Sequence, residues 1–133
     1  MVKDPVVIDR SVVKGLLSYA KDQHPKEAIL LLRGRFMRGK LVVEEVLIPP
    51  LAIHGKGFSG FPLQTLPMDF SIIGTVHSHP SGILNPSPED LNRFYGRIML
   101  IVAYPYDSER DVAIFDGKGR PIKYDVVDLE NVS

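Results

Sequence analysis

Two histidines at positions 77 and 79, followed by Pro80 and, after six further residues, by Ser87 and Asp90, carry the most chemistry in this chain. Side chains of an extended segment alternate between faces, so residues two apart project from the same one. The rings of His77 and His79 can then share one cation. Pro80 ends the strand and turns the chain away, and Asp90, in the first turn of a following helix, can return a carboxylate oxygen to the same point. Two imidazoles and one carboxylate make a three-ligand set for a single Zn2+ per chain, with the fourth tetrahedral position left to water. Zinc in such a setting makes water a nucleophile near neutral pH, with no need of a serine or a thiol. The reaction also needs a base for the proton and a donor for the charge that develops on the attacked carbonyl. By residue type, Glu27 is the candidate base and Ser87 the candidate donor.

The elements that must position these residues follow from patterning. Val12, Val13, Leu16, Leu17 and Ala20 recur at the spacing of one buried helical face. That helix starts at Asp9 or Ser11 and stops before Pro25, because the residue preceding a proline is pushed out of the helical region. Val6 to Ile8 reads as a short edge strand. Glu27 to Leu32, ending at Gly34, and Leu41 to Ile48, stopped by Pro49-Pro50, read as a hairpin whose connection, Arg33 to Lys40, is a basic, solvated tip. Ile72 to Ser78 and Ile98 to Tyr104 are buried strands. Ser87 caps a short helix to Tyr95, with Pro88 at its first position and Glu89 and Asp90 against its positive end. Asp111 to Phe115 and Ile122 to Val127 form a hairpin across Asp116-Gly-Lys-Gly. Strands and helices interleave, so the class is α/β, a single domain over 1–133, with a mixed sheet carrying a packed helix.

Composition narrows the function. Sixteen basic residues balance sixteen acidic ones, which argues against broad binding to nucleic acid or an anionic membrane. Cysteine is absent, so disulfides, thiolate zinc sites and cysteine nucleophiles are excluded. The N-terminal residues show no apolar signal region, and no apolar run reaches membrane-spanning length. A soluble cytoplasmic protein is the expectation.

The segment from His77 to Asp90 resembles the His-x-His-Pro-(six residues)-Ser-x-x-Asp signature of the JAMM (MPN-plus) zinc metalloproteases at every fixed position. Upstream, His24-Pro-Lys-Glu27-Ala-Ile-Leu-Leu-Leu-Arg-Gly34 is similar to the Pro-x-Glu segment of that family, except that Ile29 or Leu30 stands where many members have glycine. The resemblance implies the MPN fold: a largely antiparallel, curved sheet with a long N-terminal helix and a short helix after the motif. It implies His77, His79 and Asp90 as zinc ligands, Glu27 as general acid/base, and Ser87 as stabiliser of the tetrahedral intermediate. Members cleave at the C-terminal tail of ubiquitin or ubiquitin-like proteins, often at isopeptide bonds. Small standalone forms act on β-grasp modifiers or sulfur carriers. The expected substrate partner is therefore a ubiquitin-like or sulfur-carrier protein. Oligomeric state is left open.

Other features carry less. The stretch His77-Ser-His-Pro-Ser-Gly also resembles the RadC family, linked to DNA repair, but that family usually adds a helical domain and the zero net charge weakens a nucleic-acid role. His24, at a helix end, suits the helix dipole, and His54 has nothing at ligand spacing. Residues 51–70 are rich in Gly and Pro yet apolar. They read as a loop covering the core or bordering a groove for an extended tail, with Phe61 and Leu63 as candidate substrate contacts.

Overall fold

A computed structural model describes residues 5–49 and 71–129. In chain order these form β1 (Val6–Asp9), α1 (Arg10–Gln23), β2 (Ile29–Met37), β3 (Lys40–Leu47), β4 (Ile72–His79), α2 (Pro88–Asn92), β5 (Ile98–Ala103), β6 (Val112–Phe115), β7 (Pro121–Ile122) and β8 (Tyr124–Val127). The strands make one sheet in the order β7-β6-β5-β4-β2-β3-β1-β8. Pairing is antiparallel for β2 with β3, β2 with β4, β5 with β6 and β6 with β7, and parallel for β4 with β5 and for β1 with both β3 and β8. Among the described residues no helix is long and apolar enough to cross a membrane.

The sheet is strongly curled. β7 and β8 are separated by Lys123 alone, yet they pair at opposite ends of the strand order. Eight flat strands would put those edges more than ~30 Å apart, whereas one residue spans at most about 3.6 Å. The edges must therefore approach each other, and the Tyr124 hydroxyl donates to the Val112 carbonyl of β6 at 3.2 Å across the gap. The expected hairpin from Asp111 to Val127 is thus half right. Its return arm pairs with β6 for two residues and then crosses to β1. β1 is consequently an interior strand, not the expected edge.

The two faces bury different clusters. On the concave face Val12, Val13, Leu16 and Ala20 of α1 pack with Ile8, Leu30, Leu32, Val43, Val76, Leu100, Val102 and Ile114. On the convex face Met99, Ile101 and Phe115 pack with Leu84 and Phe94, which flank α2. α1 ends at Gln23, two residues before Pro25, as the sequence requires.

β2 does not end at Gly34. It runs on to Met37, and a two-residue turn at Arg38-Gly39, with φ of 53° and 80°, leads into β3. Both central residues have positive φ, the turn that matches the twist of a hairpin. Arg33 and Arg35 lie on the strand, ion-paired to Glu45 and Glu44, so the basic tip shrinks to its turn. Gly34 marks a break in register instead of a strand end. A Cβ there would come within 2.0 Å of the Val42 carbonyl oxygen and 2.8 Å of Ile73. Gly34→Ala is expected to cost about 1–3 kcal/mol through overpacking. Chemical denaturation measures it, and an unchanged midpoint would show that the bulge can open freely.

Candidate metal centre

His77 and His79 end β4 on the convex face. His77 pairs in register with Ile101 of β5 and Ile29 of β2, which fixes the face its ring takes. Both rings are buried, in the middle of the sheet where a polar group needs a partner. After β4 the chain turns at Pro80, and α2 returns over the same face. Ser87 and Asp90 form a reciprocal capping box: the Asp90 N–H donates to Ser87 Oγ at 3.0 Å and the Ser87 N–H donates to Asp90 Oδ2 at 2.9 Å. This box does more than start a short helix. It fixes the carboxylate of Asp90, itself buried, over the two imidazoles.

The three side chains converge. His77 Nδ1 lies 3.3 Å from Asp90 Oδ1 and His79 Nε2 lies 2.9 Å from Asp90 Oδ2. The other nitrogen of His79, Nδ1, stands 2.8 Å from the Ile83 carbonyl and donates its proton there. That bond keeps Nε2 directed at the site, where it donates to Asp90 and offers an electron pair to a metal once that proton is displaced. His77 Nε2 is buried without a hydrogen-bond partner, and so is the Thr75 hydroxyl two residues back on the same face. Orphaned polar atoms of this kind cost about 1–3 kcal/mol each, so this region is not arranged for stability alone.

These residues fit zinc. Donors 2.0–2.1 Å from a tetrahedral ion lie roughly 3.3–3.4 Å from one another. The two rings stand 3.3 and 2.9 Å from the Oδ1 and Oδ2 of Asp90 respectively, near that edge, and the carboxylate has to shift to bring one oxygen to both. As positioned, no set of three or more His, Cys, Asp and Glu side chains among the described residues is arranged to hold a cation, and the Asp90 carboxylate lies against both rings.

Charge in the site follows the same geometry. Burial works against a charged His79 ring, but the hydrogen bonds to Asp90 and the Ile83 carbonyl, with the charges of Asp90 and Glu27, raise its pKa above the ordinary value. Burial likewise opposes an ionised Asp90, yet hydrogen bonds from His77 and His79 and from the Ser87 N–H hold it far below the usual carboxylate range. The Asp90 carboxylate therefore stays ionised at any working pH.

Glu27 lies in the exposed segment just before β2. The β2–β4 register pairs Ile29 with His77 and Leu30 with Val76, and its continuation sets Glu27 opposite His79, on the face of both rings. Its charge acts on His79, in keeping with that placement. All five residues expected from the sequence as catalytic or metal-binding thus fall at one place, whereas Phe61 and Leu63 lie outside the described residues. The Ile83 carbonyl was not foreseen. A main-chain acceptor leaves no mark on residue identity, so no sequence signal could have found it.

Residues 9–115 match the model of a family described as prokaryotic homologs of the JAB domain. A protein of Haloferax volcanii named "Probable metalloprotease" is 35% identical over 135 residues, covering 96% of this chain and 83% of that one. A JAB1/MPN domain protein from Archaeoglobus fulgidus is similar in structure with a TM-score of 0.68 and 36% identity, covering 90% of this chain and 97% of that one. A structure described as JAMM, a metalloprotease-like zinc site in the proteasome and signalosome, gives a TM-score of 0.66 and 37% identity over 92% of this chain and 97% of that one. A Desulfitobacterium hafniense protein, at 19% identity and a TM-score of 0.65, shares the fold.

The pKa directions set opposite pH responses for the metal-free and zinc-loaded protein. A raised His79 pKa contributes stability that is fully present below 6.5 and is lost as pH rises through the raised value. The lowered Asp90 pKa contributes stability that is present above 3.8 and is lost only as pH falls through its depressed value. Zinc requires His79 neutral at Nε2, so its affinity falls about tenfold per pH unit for each proton it must displace. Melting curves with zinc and with chelator are expected to diverge more at pH 8 than at pH 5.5. A zinc-induced shift that is the same at both would contradict this assignment of the ligands.

Proposed function

Because this chain belongs to the prokaryotic homologs of the JAB domain, a JAMM metalloprotease-like family, we propose that it is a zinc-dependent isopeptidase or peptidase. Its proposed substrate bond follows the C-terminal tail of a ubiquitin-like, β-grasp protein. The observation that carries the reading is the convergence of His77, His79 and Asp90 with Glu27 set opposite His79 by strand register. A zinc ion held by those three ligands supplies Lewis acidity, polarising a carbonyl and lowering the pKa of water.

The chain's own groups do the rest. Glu27 stands on the ligand face with its carboxylate free to take a proton from the attacking water and return it to the departing amine. Its exposure suits a base that must meet both. Asp90, held ionised by the capping box and the two rings, keeps a negative ligand in place. Ser87 accepts the Asp90 N–H on its oxygen, which leaves its own O–H for the oxygen of the attacked carbonyl. Backbone approach to a centre flanked in this way favours glycines in the substrate tail, as residues without a Cβ to clear. A cytoplasmic location and a protein partner, with neither nucleic acid nor membrane, go with this reading and with the zero net charge.

The test is cleavage of a ubiquitin-like–lysine isopeptide conjugate with and without chelator, beside Glu27→Gln. The wild type is expected to be chelator-sensitive, and Glu27→Gln to lose about 10²–10⁴-fold in kcat with zinc retained. No cleavage by protein holding stoichiometric zinc would overturn the isopeptidase reading in favour of C-terminal processing of a sulfur-carrier protein. Ser87→Ala separates the two tasks of that residue. The lost cap is expected to cost about 1 kcal/mol in a denaturation curve, and the lost donor about 10²–10³-fold in kcat. A fall in stability alone would leave Ser87 as a cap and nothing more.

A further inference from the structure

Ser78, the residue between the two histidines, points the other way. By alternation it lies on the concave face, where it is 1% exposed. Its backbone N–H donates to the Ala28 carbonyl at 3.0 Å, as an antiparallel ladder requires. The reciprocal bond is different. The Ala28 N–H donates at 2.7 Å to the Ser78 side-chain oxygen, so a hydroxyl takes the place that a strand carbonyl would hold. The regular ladder accordingly starts at Ile29, and Glu27 leaves the sheet at the point where it faces His79.

The hydroxyl faces a second buried group. Tyr106 is close enough for Ser78 to act on its phenol; it is 1% exposed and its hydroxyl stands 3.3 Å from His24 Nδ1. The Ala28 N–H donates to Ser78 Oγ, and with the Tyr106 O–H donated to His24 Nδ1 the phenol oxygen is left able to accept from Ser78. Tyr106 holds φ at 59°, a conformation that a bulky residue keeps only where its surroundings over-determine it. His24 closes the C-terminus of α1, its N–H meeting the Ala20 and Lys21 carbonyls, and its ring stacks on Tyr104 at 4.7 Å between centroids. Glu27 therefore hangs between two pinned points, His24 and Ala28.

We propose that Ser78 and Tyr106, with His24 behind them, are positioning residues that hold Glu27 over the metal ligands from the opposite face of the sheet. The inference rests on the reading of Glu27 as the base. It adds that, once the β2–β4 register has put Glu27 on the ligand face, its aim is fixed by the Ser78 hydroxyl at Ala28. These residues touch neither substrate nor zinc, so their loss acts on the geometry of proton transfer and leaves ligand binding intact.

Ser78→Ala and Tyr106→Phe test this by nuclear magnetic resonance and by kinetics on the zinc-loaded protein. In Ser78→Ala the Ala28 amide is expected to exchange about tenfold faster, the value of one lost hydrogen bond. The backbone order parameter of Glu27 is expected to fall from the rigid range near ~0.85 toward ~0.6. kcat is expected to drop about tenfold with KM and zinc content unchanged, and Ser78→Thr to restore all three readouts. Tyr106→Phe, which keeps the ring in the core, is expected to give the same pattern more weakly. An unchanged Glu27 order parameter in both variants overturns the proposal whatever the activity. A faster Ala28 amide with unchanged kcat, in a protein where Glu27→Gln is inactive, overturns it while leaving the protease reading intact. Loss of zinc along with kcat overturns it too, by assigning Ser78 to the ligands. A wild type that cleaves nothing removes the protease reading, and the order parameter still decides whether Ser78 holds Glu27.

Discussion

A slip of one residue between β2 and β4 would carry Glu27 to the far face of the sheet and leave His77 and His79 without it, because side chains alternate with period two. The register of that pair is the constraint on which the site depends. It is secured by burial on the concave side: Leu30 and Leu32 of β2 pack with Val76 of β4 in the cluster around α1, and a slip of β2 would turn both leucines outward. The ladder from Ile29–His77 to Leu32–Gly74 is thus enforced by apolar side chains that have no part in the chemistry. Placement of the base is a consequence of core packing.

The second ligand arm has a different origin. Asp90 reaches the rings through a local device, the capping box with Ser87, within a helix of only five residues. That difference explains what the sequence disclosed. His77, His79, Ser87 and Asp90 lie within a fourteen-residue stretch, so their mutual geometry follows from strand alternation, a turn and a helix start, all short-range rules. Glu27 lies fifty residues from His77, and its own surroundings in sequence mark it only as a charge beside an apolar run. It was legible through the family pattern. Its physical warrant, the register with β4, is a long-range property.

The misreadings have the same cause. Gly34 looked like a strand end, since glycine usually weakens a strand, but it serves a bulge where the β3 backbone comes too close for a Cβ. The segment 121–127 looked like one arm of a hairpin, because nothing local says that it leaves β6 after two residues to pair with β1. His24 does close the end of α1, as expected, but its contact with Tyr106 was not foreseen. Its partner Tyr106 is eighty-two residues away, and a pair so distant leaves no spacing to read. The overall α/β class, the helix ahead of Pro25 and the mixed sheet survived these errors, because each depends on patterning within one element.

Strand β4 also shows how the fold tolerates a polar centre. Thr75, His77, Ser78 and His79 are all buried on a strand in the middle of the sheet, where apolar residues would be more stabilising. Its neighbour β5 compensates: every residue from Ile98 to Ala103 is a buried hydrophobic, feeding both clusters. With β5 supplying the apolar contacts on both faces, β4 is free to carry ligands on one side and a hydroxyl on the other. The curl of the sheet keeps both sides dry, since α1 fills the concave face and α2 with its flanking loops covers the convex one. A dry, rigid strand with polar groups on both faces can hold a metal on one and aim a base from the other. An apolar strand in the same position would add stability and offer neither.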